Sequence, residues 1–172
     1  MAQQQDVVRS LFLAGLRDAH AVEHQALALM DRQINHLANY PEVEQRLRSH
    51  RAETEQQIKR LDEILEGLGE SASTFKDTAL SIAGNLAALA HTLAPDEILK
   101  NSFANFAFEN FEIASYKALI TIAEADGLAG AIPLLRATLD EEIAMAQFCD
   151  EILPAVTMKF LQLRAAGETA SH

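Results

Sequence analysis

Glu109 and Glu112 stand three residues apart in a stretch, residues 105–117, that carries three phenylalanines and neither glycine nor proline. Such a run reads as the middle of a long helix. At about 100° per residue, Phe106, Glu109, Ile113, Tyr116 and Ile120 share one face, with Glu112 about 60° to its side. Phe108, Phe111 and Ile122 cover the opposite face, and a helix apolar nearly all round is expected to be buried. An ionised carboxylate in such a place needs a proton, a cationic side chain or a metal ion, because left unpaired it costs several kcal/mol.

The same problem recurs on every long helix that the periodicity predicts. On the first, residues 6–37, Glu23 falls in the middle of the stripe formed by Leu16, Leu27, Met30 and Ile34, with His20 inside it and His24 at its edge. On the second, residues 41–68, His50 sits near the centre of the face carrying Val43, Leu47, Ile58, Leu61, Leu65 and Leu68, and Glu53 lies at its margin. On the fourth, residues 132–153, Glu142 is central among Leu135, Leu139, Ala146, Cys149 and Leu153, while Glu141 points away. Glu23 and Glu53 are 30 residues apart, as are Glu112 and Glu142, so the two halves of the chain repeat as helical hairpins.

Taken singly, each acid reads as a solvated edge or as the partner of Arg17, Arg60 or Lys117, and His50 as a core histidine. Taken together they require more. Bundle helices pack about 8–10 Å apart, so four mid-length acids meet at one level. Carboxylates side by side cannot all ionise without a multivalent cation. Two divalent ions held by glutamates are a solution that helical bundles use.

The elements that must position these residues form an all-α four-helix bundle with one crossover connection. Pro41 and Pro95 open helices, where proline is tolerated in the first turn. Gly67-Leu68-Gly69 and Asp126-Gly127 close them. A short linking helix is expected at residues 74–91, ending at a solvent-facing His91, and Pro154 separates helix four from a C-terminal helix at residues 155–164. One domain over residues 1–166 and a disordered tail, 167–172, complete the expected organisation.

The formal charge of −11 argues against nucleic acid, which needs a basic face, and against an anionic membrane surface. No apolar run reaches the length of a membrane span, and the N-terminus lacks the pattern of a signal peptide. Cys149 is the single cysteine, which suits a reducing cytoplasm and an inert buried thiol.

His50-Arg-Ala-Glu53-Thr54, Glu109-Asn-Phe-Glu112-Ile-Ala-Ser-Tyr116 and Leu139-Asp-Glu-Glu142 resemble the YciE/YciF stress-response family of ferritin-like bundles, over nearly the whole chain. The resemblance implies a ferritin-like fold, a dinuclear metal site and a homodimer. Carried over by position, the ligands are Glu23, His50, Glu53, Glu112 and Glu142, with Glu109 as an additional one. The chain departs from the family pattern at Asn110, where the family has His, and at Ala146, where it has Asp. It also lacks the Glu-x-x-His motif of di-iron bundles. A carboxylate-rich, nitrogen-poor set admits magnesium or calcium beside iron or manganese. The expected function is therefore binding of two divalent ions, with Fe(II) oxidation or peroxide removal as the activity and no catalytic residue assigned. Tyr116 reads first as a packed aromatic and second as a hydrogen-bond donor to a bound oxygen species. The alternative is a non-catalytic stress or interaction protein whose core glutamates are protonated or paired with arginine.

Overall fold

The computed structural model describes residues 2–70 and 96–170, and those residues form four long helices: α1 (Ala2–Ile34), α2 (Pro41–Gly67), α3 (Glu97–Ala125) and α4 (Ile132–Ala165). The predicted linking helix and His91 lie outside the described residues. No helix among the described residues is long and apolar enough to cross a membrane.

Inter-helix contacts fix the topology. Along α1, Arg17 pairs with Glu70, His20 with Asp62 and Asp31 with Arg51, so α1 and α2 run antiparallel. Arg9 lies 3.6 Å from Asp126 near one end of α1, and His36 lies 3.8 Å from Glu97 just past the other, so α1 and α3 are also antiparallel. Gln33 and Asn105 exchange two 2.9 Å amide hydrogen bonds between these helices. It follows that α2 and α3 are parallel and that α2 ends where α3 does not begin, which is the one-crossover, ferritin-like arrangement expected.

The ends obey local rules. Gly69 and Gly127 adopt φ of 80° and 70°, a left-handed conformation that glycine reaches without a Cβ penalty. At these two ends Glu70 N–H donates to Leu65 O and Leu128 N–H to Ala123 O, satisfying carbonyls left over by the last helical turn. α1 stops at Ile34, three residues short of the predicted end. Leu37 is nonetheless buried, so the apolar pattern extends into the turn although the helix does not.

The predicted break at Pro154 is not there. α4 runs through it, and the separate C-terminal helix is its continuation. An interior proline loses a backbone hydrogen bond and crowds the preceding turn, at a cost of about 3 kcal/mol. Cys149, Val156 and Leu163 recur every seven residues and carry one buried face across the proline. Burying Val156 and Leu163 contributes about 1.5–3 kcal/mol each, enough to hold the helix together. Of the residues expected to form a tail, Thr169 and Ala170 accept hydrogen bonds from Asn39 Nδ2 (3.0 Å) and Tyr40 O–H (2.6 Å).

Two apolar clusters fill the bundle. One gathers Val22, Met30, Leu47, Ile98, Cys149 and Val156, and the other Phe12, Leu16, Leu61, Leu119, Ala123 and Leu135. Where the two clusters meet, each helix turns buried polar side chains inward, Glu23 on α1, His50, Thr54 and Gln57 on α2, Glu109 and Glu112 on α3 and Glu142 on α4, and these form a mid-bundle layer. α3 is not buried all round, contrary to expectation: Phe103, Phe106 and Phe111 are each at least 40% exposed. Its inward face is Phe108, Glu109, Glu112, Tyr116 and Leu119, which displaces Phe106 from the face assigned to it.

Replacing Pro154 with alanine restores the missing donor, and it should raise the unfolding free energy by about 1–3 kcal/mol. The urea midpoint should move up at unchanged slope; a lower midpoint would mean that the bundle packs around the proline ring.

Candidate metal centre

Helical spacing delivers the mid-bundle layer. On α2, His50, Thr54, Gln57 and Leu61 follow the i, i+4, i+7, i+11 rhythm of one face, and all four are buried. On α4, Leu135, Thr138, Glu142, Met145 and Cys149 follow an i, i+3, i+7, i+10, i+14 rhythm, and all are buried. Glu23, Glu109, Glu112 and Glu142 are 1%, 5%, 2% and 0% exposed. The structure thus brings five of the six predicted ligands, His50 included, into the dry interior.

Around His50 the geometry is explicit. Its Nε2 lies 3.2 Å from Glu109 Oε2 and 3.7 Å from Glu142 Oε2, at ion-pair distance but, for Glu109, without the alignment of a hydrogen bond. His50, Glu109 and Glu142 each offer one ligand atom, all within 4.8 Å of one another. Glu142 Oε1 accepts a 2.5 Å hydrogen bond from Gln57 Nε2, which also reaches Glu141 Oε2 at 3.0 Å. Beyond Gln57, Arg60 holds Glu141 through both guanidinium nitrogens at 2.7 Å. On the α1 side, Tyr116 O–H donates to Glu23 Oε1. Tyr116 is therefore both packed and a donor, to a candidate ligand.

Glu53 has a different place. It is part-exposed and accepts from Arg46 Nη1 at 3.0 Å, while the same oxygen meets His50 Nδ1 at 2.9 Å. The imidazole separates it from Glu109 and Glu142. Of the predicted acids it alone is held by a guanidinium; Arg17 and Arg60 pair with Glu70 and Glu141 instead. Gln57 was not singled out in the sequence, although its seven-residue distance from His50 puts it on the same face.

Side chains compensate the charges in this layer only in part, His50 facing Glu109 and Glu142. Among the described residues, Glu23 Oε2, Glu109 Oε2, Glu112 Oε1 and Glu142 Oε2 are buried without a hydrogen-bond partner. Loss of water pushes Glu23 up to about 8 even though Tyr116 and His50 oppose it. Burial, reinforced by Glu109, pushes Glu142 up to about 10. Glu112 is driven well above the usual carboxylate range, first by burial and then by the charges of Glu23, Glu142 and Glu109. Burial alone would lower His50, but Glu109, Glu53 and Glu142 outweigh it and raise the ring to about 10. Hydrogen bonding to His50 holds Glu53 low. Cys149 is buried and its thiol is pushed up to about 12, the inert thiol expected.

The residues fit a divalent cation. They supply one imidazole nitrogen and several carboxylate oxygens that lack other partners. His50 also leaves Nε2 facing the acids while Nδ1 rests on a carboxylate, the usual support of a metal-bound histidine.

With no ion bound, stability should depend on pH in a definite sense. Glu23, Glu112 and Glu142 keep protons in the folded state that the unfolded chain releases near pH 4.5, and His50 keeps one that the unfolded chain releases near 6.5. Folded protein thus binds more protons, and stability falls as pH rises through this window. Melting of chelator-treated protein should drop by about 5–10 °C between pH 6 and 9. A flat or rising profile would contradict the assignment of buried, protonated acids.

Comparison with known proteins agrees with the fold. The Escherichia coli protein YciF is 29% identical over 145 residues, spanning 80% of this chain and 84% of its own. The crystal structure of that E. coli stress protein matches with a TM-score of 0.73 at 27% identity, covering 85% of this chain and 94% of its own. A Xanthomonas campestris protein of known crystal structure matches with a TM-score of 0.76 at 28% identity, over 92% and 99% of the two chains. With residues 7–162 matching the family described as a domain of unknown function, DUF892, the chain belongs to that family, which bears out the YciF-like resemblance read from its motifs.

Proposed function

We propose that the mid-bundle layer binds two divalent metal ions, iron or manganese in preference to magnesium or calcium, and that the protein oxidises Fe(II) or removes peroxide. The observation that carries this reading is the set of four buried carboxylate oxygens without hydrogen-bond partners, on Glu23, Glu109, Glu112 and Glu142, of which those of Glu109 and Glu142 face His50 Nε2. His50, Glu109 and Glu142 would hold one ion, and Glu23 and Glu112 the other. Bound iron or manganese supplies a Lewis acid and a source of electrons for dioxygen or peroxide.

The chain's own residues do the rest. Glu53 fixes the His50 ring through Nδ1, and this is its role in the proposal, in place of the direct ligation expected from sequence. Gln57 orients Glu142, and Arg60 steadies Gln57 by way of Glu141. Tyr116 O–H lies on Glu23 Oε1, where it can pass a proton to that carboxylate or take one from it. The apolar clusters above and below the layer exclude water and so strengthen each electrostatic contact. A homodimer, as the resemblance implies, is part of the same proposal, with the exposed Phe103, Phe106, Met158 and Leu161 available to it.

The second reading is a non-catalytic bundle whose acids stay protonated. It is favoured by the hydrogen bonds from Tyr116 to Glu23 and from Gln57 to Glu142, each of which satisfies one oxygen of a carboxyl group.

Thermal melting separates the two. An ion at about 100 times its dissociation constant adds about 2.7 kcal/mol, or about 5–10 °C for a chain of this size. Mn(II) or Fe(II) should raise the melting temperature by that amount, EDTA should reverse it, and His50→Ala and Glu142→Ala should abolish it. Glu53→Gln should weaken affinity by about 10–100-fold. Melting that ignores Mn(II), Fe(II), Mg(II) and Ca(II) alike would select the second reading. Fe(II) oxidation and peroxide consumption at background, in protein that does bind metal, would leave a metal-binding protein without the proposed chemistry.

A further inference from the structure

A pocket of about 220 Å³ opens between α1 and α3, and the proposed function uses only the residues at its inner end. Gly15, Ala19 and Val22 of α1 and Leu119 and Ile122 of α3 make its walls apolar. Gly15 gives Leu119 room to reach across, since a Cβ there would come within 2.9 Å of Leu119 Cδ2. The exposed Phe111 and Ala118 and the half-buried Ser115 mark the solvent side. Glu23, Glu112 and Tyr116 also line the pocket, and each is at most 2% exposed. The inner end is therefore polar, and it includes two carboxyl groups with an unpartnered oxygen each.

This shape selects a class of molecule. An apolar cavity of about 150 Å³ accommodates benzene, so the volume suits a body of that size plus a short polar end. The walls reward an apolar body, and the unpartnered oxygens reward a hydrogen-bonding head. A carboxylate or phosphate head would lose its water and find no cation among the lining residues. An ammonium head brings three donors to an inner end where Glu23 and Glu112 leave one unpartnered oxygen each, and so gives up water that is not fully replaced. A hydroxyl both donates and accepts, so it pairs with these carboxyl groups in either protonation state. We infer that the α1–α3 pocket binds small uncharged molecules consisting of an apolar body and one hydroxyl or hydroperoxyl end, with that end against Glu23 and Glu112.

This deepens the metal-centre proposal by naming the substrate class, and rests on it only for any reaction that follows binding. Occupancy itself needs no metal. The test is therefore NMR titration of chelator-treated protein with four probes of one shape: benzyl alcohol, toluene, benzylamine and benzoate. Benzyl alcohol should bind with a dissociation constant of about 0.1–5 mM, toluene more weakly, and benzoate undetectably. Ser115→Phe, which fills the mouth, should weaken benzyl alcohol by about tenfold or more without lowering the melting temperature. Ala118→Phe, at an exposed position, serves if that variant does not fold. Glu112→Leu should reduce the preference for benzyl alcohol over toluene. Absence of binding by any probe, tighter binding of benzylamine than of benzyl alcohol, or indifference to both mouth substitutions would overturn the inference. Metal binding is read separately by melting, so either proposal can fail while the other stands.

Discussion

Carboxyl groups crowded away from water set the terms for this bundle. Glu23, Glu109, Glu112 and Glu142 are buried at its mid-level, where each charge loses its hydration and feels its neighbours through a low dielectric. Nothing in the surrounding apolar packing lowers that cost. The layer persists because protons, His50 or a bound ion offset it, and each of these changes how many negative charges the fold must carry.

The apolar clusters make such a layer possible. They lie on either side of it along all four helices, so the bundle has two conventional cores joined by one polar level. Stability resides in the cores, as the unbroken passage of α4 through Pro154 illustrates. Specificity of geometry comes from the margins of the layer: Arg60 holds Glu141, Glu141 and Glu142 hold Gln57, and Arg46 holds Glu53 against His50.

Much of this was legible in the residues. Long glycine-free runs with a 3.6-residue rhythm gave four helices, and an acid at the middle of each apolar stripe gave the layer. What periodicity cannot encode is rotation about a helix axis to within a residue. That is why Phe106 was assigned to the inward face of α3 and proved half exposed. It cannot encode side-chain reach either. Glu53 was placed at the margin of its face, and from there its carboxylate turns to Arg46 and the outer nitrogen of His50 rather than inward. The break predicted at Pro154 rested on backbone chemistry alone, whereas the packing of Val156 and Leu163 decides it. Gln57 escaped notice because a buried amide carries no charge to demand an explanation. Whether the acids hold metal, as read from the sequence, is a matter of affinity and not of placement.

The most direct measurement is anomalous diffraction from crystals equilibrated with Mn(II) at near-neutral pH. Two anomalous peaks in the mid-bundle layer are predicted, one beside His50 Nε2, Glu109 and Glu142 and the other beside Glu23 and Glu112. An interior free of anomalous signal at saturating Mn(II), with those carboxyl groups hydrogen-bonded to one another, would contradict the account.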